Sequence, residues 1–289
     1  MIYVTSDLHG CSLETLQKLL DKAGFSQRDF LFVLGDVIDR GENAAQLLLW
    51  LTEQTNVQLI LGNHEAMMLL CDFLFREVTE ENLEELTDAD FKAYEHWMRN
   101  GAATTIQGLK QVMADDPSLL EGILEYLREA PLYEDLEVNG KRYVLVHGGL
   151  GNFHPEKSLE EYEPHDILWE RPKMDTRYYE NATVVFGHTP TVFYGEEYRG
   201  KAIRTETWIN IDTGAAMGDY PMLLRLDDAQ KEAAMAAIRS LESSSGQKVC
   251  ISVEPFVSFY AAEEEHQDFY LKNPEKFRQE LIESGRIKE

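Results

Sequence analysis

Hydrophobic positions in the first third of the chain come in short, unbroken runs. IYVTS (2–6), FLFVL (30–34) and VQLIL (57–61) each have the length of a strand. Near-continuous apolar character is what a strand buried on both faces shows. Between them, Ser12 to Ala23 and Ala44 to Glu53 carry helical periodicity, the first behind a capping Ser12. Strand, helix, strand, helix, strand predicts parallel pairing through right-handed crossovers. From Glu65 to Ala130 the pattern turns helical, with acidic faces such as TEENLEELTDAD (79–90), and reads as a helical cap inserted between strands. LYEDLEV-NG-KRYVLVH (132–147) is a hairpin in which Asn139-Gly140 supplies a two-residue type I′ turn. Further strands are expected at TVVFG (183–187), WINIDTG (208–214) and PMLLRL (221–226).

The pattern gives an α/β protein, a mixed β-sandwich flanked by helices with a helical cap insertion. Residues 1–226 form its main domain, with the cap at about 65–130, and residues 227–289 are a C-terminal extension. Within the extension SLESSSGQ (240–247) is linker-like and KVCISVEP adds a strand. NPEKFRQELIESG (273–285) is a helix with Asn273 at its cap, Pro274 at its first position and Gly285 past its end.

Composition narrows the function classes. Hydrophobic residues make up 44%, enough for a sizeable core. Against 27 basic residues stand 52 acidic ones, a formal net charge of −25. That balance argues against nucleic-acid and anionic-membrane partners, which need clustered Lys and Arg. The acidity reads mainly as solvated helix faces, so an anionic substrate would need a local inversion of charge. Three scattered cysteines, Cys11, Cys71 and Cys250, offer neither a disulfide framework nor a thiolate metal site and suit a reducing compartment. The opening MIYVTSD reads as a strand rather than a leader, and no apolar run approaches the ~18 residues of a membrane helix. A cytoplasmic protein is expected, of unspecified oligomeric state.

The polar residues carry the chemistry. The first three strands end in SDLHG, GDVIDRG and GNHE; the second hairpin strand ends in VHGG, and the strand at 183–187 in GHT. Ligands in open α/β sheets bind beyond the carboxyl ends of the strands. Five strand ends therefore bring Asp7, His9, Asp36, Asp39, Arg40, Asn63, His64, His147 and His188 to one edge. Carboxylate, imidazole and amide oxygen without thiolate suit Mn²⁺, Fe or Zn²⁺. An aspartate between two ligand sets can bridge ions about 4 Å apart. Singly each motif is a turn or a core histidine; the concentration at strand ends is the signal. His96, His154, His165 and His266 fall outside it and read as surface or structural residues.

The ordered set Asp7-x-His9-Gly10, GDxxDRG (35–41), GNHE (62–65), HGG (147–149) and GHT (187–189) resembles the calcineurin-like metallophosphoesterases. Within them it is most similar to the phosphoprotein phosphatase branch, which includes bacterial and phage serine/threonine phosphatases and symmetrical dinucleoside tetraphosphatases. The resemblance spans roughly residues 2–226 and implies the metallophosphoesterase fold. It also implies two divalent ions, Mn²⁺ first, with Fe or Zn as alternatives. Asp7 and His9 would hold one ion, Asn63, His147 and His188 the other, and Asp36 would bridge them. His64 would be the general acid, Asp39 its orienting partner, and Arg40 a phosphate clamp; Asn63 would also touch substrate. LWERP (168–172) is similar to a segment in which relatives carry a second phosphate-binding arginine, which points to Arg171. WMRNGAATT (97–105) resembles a segment whose aromatic and Asn, here Trp97 and Asn100, line the cleft or support the cap.

The expected reaction is hydrolysis of a phosphomonoester by a metal-activated water, transferred directly to solvent without a phosphoenzyme. Glu65 in place of Asp, with DRG at 39–41, leans the substrate towards phosphoserine or phosphothreonine in a protein or peptide. Diadenosine tetraphosphate or a related nucleotide, cleaved symmetrically, is the alternative. A non-catalytic metal-binding scaffold is the remote one, since every catalytic position is filled. Gly148 in place of the commoner Ala is expected to cost little beyond backbone entropy. Cys11 lies near the metal motif and reads as a small helix-start residue before it reads as an oxidation-sensitive one.

Overall fold

Alternation decides where each strand faces, even where every residue in the strand is apolar. In the computed structural model, which describes residues 1–76, 79 and 84–227, β1 is Ile2–Thr5, β2 is Phe30–Leu34 and β3 is Val57–Ile60. Leu31 and Val33 of β2 point into one core, while Phe32 and Leu34 point into another. A strand with core on both sides has no reason to alternate in polarity. β1, β2 and β3 pair in parallel, and β9 (Leu224–Arg225) adds antiparallel beside β1. The first sheet has the order β3-β2-β1-β9.

The second sheet has the order β4-β5-β6-β8-β7, from β4 (Tyr133–Val138), β5 (Lys141–Val146), β6 (Ala182–Phe186), β7 (Ile203–Arg204) and β8 (Trp208–Asn210). β4 and β5 form the expected hairpin, and both turn residues adopt positive φ, 52° at Asn139 and 74° at Gly140. Tyr143 and Leu145 face Val4, Phe32 and Leu34 between the sheets, whereas Val144 and Val146 pack outward with Phe186 and Trp208. The sandwich is thus mixed, as its apolar runs predict. Each buried aliphatic side chain contributes about 1.5–3 kcal/mol by leaving water.

Helices cover the outer face of the first sheet. α1 (Leu13–Ala23) is capped by Ser12, whose hydroxyl accepts the Thr15 N–H, and it stops at Gly24. α2 is Ala44–Glu53. Between β3 and β4 lie α3 (Asn63–Leu70), α4 (Asp88–Arg99), α5 (Ala103–Asp115) and α6 (Pro117–Glu129), filling the span read as a cap. A short α7 (Pro164–Leu168) and the two-residue β7 carry too few apolar positions to be legible in sequence. WINIDTG and PMLLRL form strand only over 208–210 and 224–225. The linker, strand and helix expected in the C-terminal extension, with Cys250 and His266, lie outside the described residues. Among the described residues no helix is long and apolar enough to cross a membrane.

Candidate metal centre

β1, β2, β3, β5 and β6 all run their carboxyl ends to one edge, and there the backbone leaves ordinary conformations. Positive φ occurs at Asp7 (52°), His9 (41°), Asp36 (54°), Asp39 (68°), Arg40 (69°) and His188 (64°). Non-glycine residues rarely adopt that region, and such strain gathers at functional sites. Gly35 has φ 73°, and a Cβ there would stand 2.9 Å from His147 Nδ1 as well as crowding Gly62. Gly148 is more constrained than its sequence indicates. A Cβ would meet the carbonyl oxygens of Ile167 at 2.9 Å and Glu170 at 3.0 Å.

Two triplets of potential ligands share one carboxylate: His9, Asp36 and His64, and Asp36, His147 and His188. All are buried, and within each triplet the donor atoms lie within 4.8 Å of one another. His147 places its Nδ1 2.7 Å from the Leu34 carbonyl, which fixes the proton on that nitrogen. Its Nε2 then faces Asn63 Oδ1 at 2.8 Å, His188 Nδ1 at 3.2 Å and Asp36 Oδ1 at 3.3 Å. The Asn63 and Asp36 oxygens facing that Nε2 lone pair are acceptors, and acceptors pointing at one another in a dry pocket favour a cation between them. His9 is set similarly, with Nδ1 3.0 Å from the Ile38 carbonyl and Nε2 turned inward. These residues fit a divalent metal, and Asn63 supplies an amide oxygen beside the second triplet. Asp7 belongs to neither triplet; its carboxylate accepts the His188 backbone N–H at 3.0 and 3.1 Å.

The protonation tendencies agree with that fit. Burial drives the His9 imidazole down to about 3 and lowers His147 and His188 too, leaving neutral rings. Burial raises Asp7 well above the usual carboxylate range, reinforced by Asp212 and Asp36. Asp36 behaves oppositely: burial opposes its charge, but the imidazoles of His147, His64 and His9 around it lower its pKa.

His64 is held for a different task. Its Nδ1 lies 2.6 Å from Asp39 Oδ2, the contact expected from the DRG motif. Burial opposes its protonation, yet the charges of Asp36 and Asp39 raise its pKa above the ordinary histidine value. Asp39 is itself gripped by the cap: the Trp97 indole donates to Oδ2 at 2.7 Å and the Thr105 hydroxyl to Oδ1 at 2.7 Å. Trp97 is fully buried, so it supports rather than lines the cleft. Asn100 donates its amide to the His96 carbonyl at 2.9 Å and closes α4 instead.

Two guanidinium groups border the centre. Arg40 reaches His9 Nε2 at 3.1 Å and His64 Nε2 at 3.3 Å, and its backbone N–H donates to Gly101. Arg171 donates to the His188 carbonyl at 3.3 Å and to the Thr189 hydroxyl at 3.1 Å. An acidic protein thus has local positive charge where an anion would enter.

Three buried residues have supporting roles that the strand-end motifs do not give, although Glu65 itself stands in GNHE. Glu65 accepts the backbone N–H groups of Asp36 (2.8 Å), Val37 (2.8 Å), Ile38 (3.3 Å) and Gly62 (3.1 Å), tying two ligand loops together. Burial, with Asp36 close by, pushes its carboxyl up to about 7. Thr105 is the last residue of the WMRNGAATT segment, and its role is found only through its bond to Asp39. Asp212 follows β8, and asking what stands at that sixth strand end would have found it. Burial, only partly offset by the Gly214 N–H, lifts its pKa to about 7. Cys11 is half-buried, and burial lifts its thiol to about 12, which leaves little reactive thiolate.

The chain is similar to known proteins over this same region. It matches symmetrical bis(5'-nucleosyl)-tetraphosphatases of Actinobacillus succinogenes, 39% identical over 34% of this chain and 36% of that protein, and of Nitrosospira multiformis, 29% identical over 65% and 57%. The chain thus spans between about a third and somewhat over half the length of these relatives. A structure solved as that of a candidate diadenosine tetraphosphatase aligns at 18% identity over 77% of this chain and 87% of that one, with a TM-score of 0.49. The model of peptide methionine sulfoxide reductase matches residues 219–289, most of them outside the described residues. The model of the calcineurin-like phosphoesterases matches residues 1–213, the span that holds all five strand-end motifs. Sequence order, sandwich and buried ligand set agree with that match: the chain belongs to the calcineurin-like phosphoesterase family, metal-dependent hydrolases.

Proposed function

We propose that this chain hydrolyses symmetrical dinucleoside tetraphosphates, adding water across the central phosphoanhydride to give two nucleoside diphosphates. The observation that carries the reading is the pair Arg40 and Arg171, one beside each buried ligand triplet and together suited to a chain of several phosphates. The names of the matched relatives support the nucleotide. This choice departs from the protein-phosphatase lean of Glu65 and DRG.

Residues 1–226 are the proposed catalytic domain, in a cytoplasmic protein. Asp7, His9, Asp36, Asn63, His147 and His188 would hold two divalent ions, Mn²⁺ first, with Fe or Zn as alternatives. Bound there, such ions supply an activated water and positive charge for the phosphoryl oxygens. Arg40 and Arg171 bind and align the phosphates. His64 donates the proton on Nε2 to the leaving oxygen, and Asp39 keeps its Nδ1–H aimed. Trp97 and Thr105 hold Asp39 in place. Water attacks opposite the leaving group, so configuration at phosphorus inverts.

A second reading is a serine/threonine protein phosphatase, favoured by the 2.6 Å His64–Asp39 contact. A strong alkoxide leaving group needs a positioned acid more than a nucleoside diphosphate does. The deciding measurement is kcat/KM, with Mn²⁺, for diadenosine tetraphosphate against a phosphoserine and phosphothreonine peptide panel. Preference for the dinucleotide with ADP as product supports the proposal; preference for peptides replaces it with the second reading.

A further inference from the structure

A row of aromatic rings leads out of the centre towards solvent. The His188 imidazole meets the Trp169 indole edge to face, with ring centroids 6.0 Å apart and planes at 84°. Trp169 also meets His96, at 5.8 Å and 50°. His188 is buried, Trp169 is half-buried and His96 is exposed, so accessibility grows along the row. The two outer rings come from different parts of the fold: Trp169 follows α7, and His96 stands on α4 of the cap.

Both ends of this row are tied to the phosphate-binding groups. Arg171 lies two residues beyond Trp169 and donates to the backbone of the same His188 that Trp169 packs against. On the cap side, α4 ends at Asn100, whose amide bonds to the His96 carbonyl, and Gly101 accepts the Arg40 N–H at 3.0 Å. An indole and a guanidinium therefore meet at the same residue, His188.

We infer that Trp169 and His96 form a stacking platform for one nucleobase of the substrate, with a purine held better than a pyrimidine. The inference rests on the nucleotide reading above and adds to it which residues select a nucleoside. A flat π-system stacks on indole and imidazole faces, and a base joined to phosphates clamped by Arg171 would lie along this row. Purines offer the larger face. The residues act on binding rather than on proton transfer, so they set KM.

The test compares diadenosine tetraphosphate with inorganic tetraphosphate, which has the same phosphate chain and no base. His96→Ala removes the exposed ring without touching the centre. It should raise KM for the dinucleotide about 5- to 100-fold, leave kcat within about twofold, and leave inorganic tetraphosphate turnover unchanged. His96→Phe should restore the KM. Trp169→Ala should show a larger rise, and Trp169→Phe, which keeps a ring against His188, a smaller one. Equal losses on both substrates, or no change in KM with His96→Ala, would overturn the platform while leaving the nucleotide reading intact. If the wild type cleaves no dinucleotide, the nucleotide reading fails on its own. ADP titration of wild type against Trp169→Phe, followed by indole fluorescence, then decides the platform: quenching confined to the wild type upholds it, and identical curves sink it.

Discussion

The triplets that share Asp36 are built by different means. The His147 and His188 side is held by the sandwich. Leu34 of β2 fixes the His147 tautomer, β5 and β6 deliver the rings, and the Gly187 N–H donates to the His147 carbonyl. The His9 and His64 side depends on the cap. Trp97 and Thr105 grip Asp39, Gly101 accepts the Arg40 N–H, and Thr105 also accepts the Asp39 N–H at 2.9 Å. One half of the candidate centre is positioned by the sheets, while the other half is positioned by an inserted helical element. A hydrogen bond from strand to strand comes with the fold. One from α4 or α5 needs the inserted segment to be in place.

That contrast can be broken in stages. The shared carboxylate is the first target. Asp36→Asn should strip both ions and reduce turnover to background, whereas His188→Ala should spare the cap-side ion. Metal content per chain, measured by emission spectrometry, distinguishes them; two ions retained in Asp36→Asn would refute a shared bridge.

Next comes the acid. His64→Asn should lower turnover of an alkyl phosphate by about 10²- to 10⁴-fold with metal content unaltered. Because Asp36 and Asp39 raise the His64 pKa against burial, its acid form survives above the ordinary value near 6.5. The working form is the protonated one, so activity is present below the folded pKa and falls as pH rises through it. That alkaline limb should vanish in His64→Asn, and a profile unchanged in the variant would remove His64 from the role.

The smallest effect tests the cap. Trp97→Phe and Thr105→Val each remove one donor to a buried carboxylate, a change worth about 1.5–3 kcal/mol. Turnover should fall roughly tenfold or more, with metal affinity at the His147 and His188 side unmoved. Loss of both properties together would mean the two halves are not separately built.

Much of this was legible in the chain. Helix α2 and strand β2 fall where the periodicity places them, because burial on one stripe or on both faces leaves a period in the sequence. The Asn139-Gly140 turn was legible because positive φ restricts residue choice. Sequence by itself determined the five strand ends and the family's motif order, since parallel strands must deliver their carboxyl ends to one edge. Only the tertiary structure decided which groups support the ligands. Glu65 binding four backbone amides, Thr105 and Trp97 on Asp39, and His96 against Trp169 are contacts between residues up to 73 positions apart. A hydrogen bond or ring contact imposes no period along the chain, and Glu, Thr, Trp and His each occur in many other settings. Their partners exist only once the cap has folded over the sheet edge.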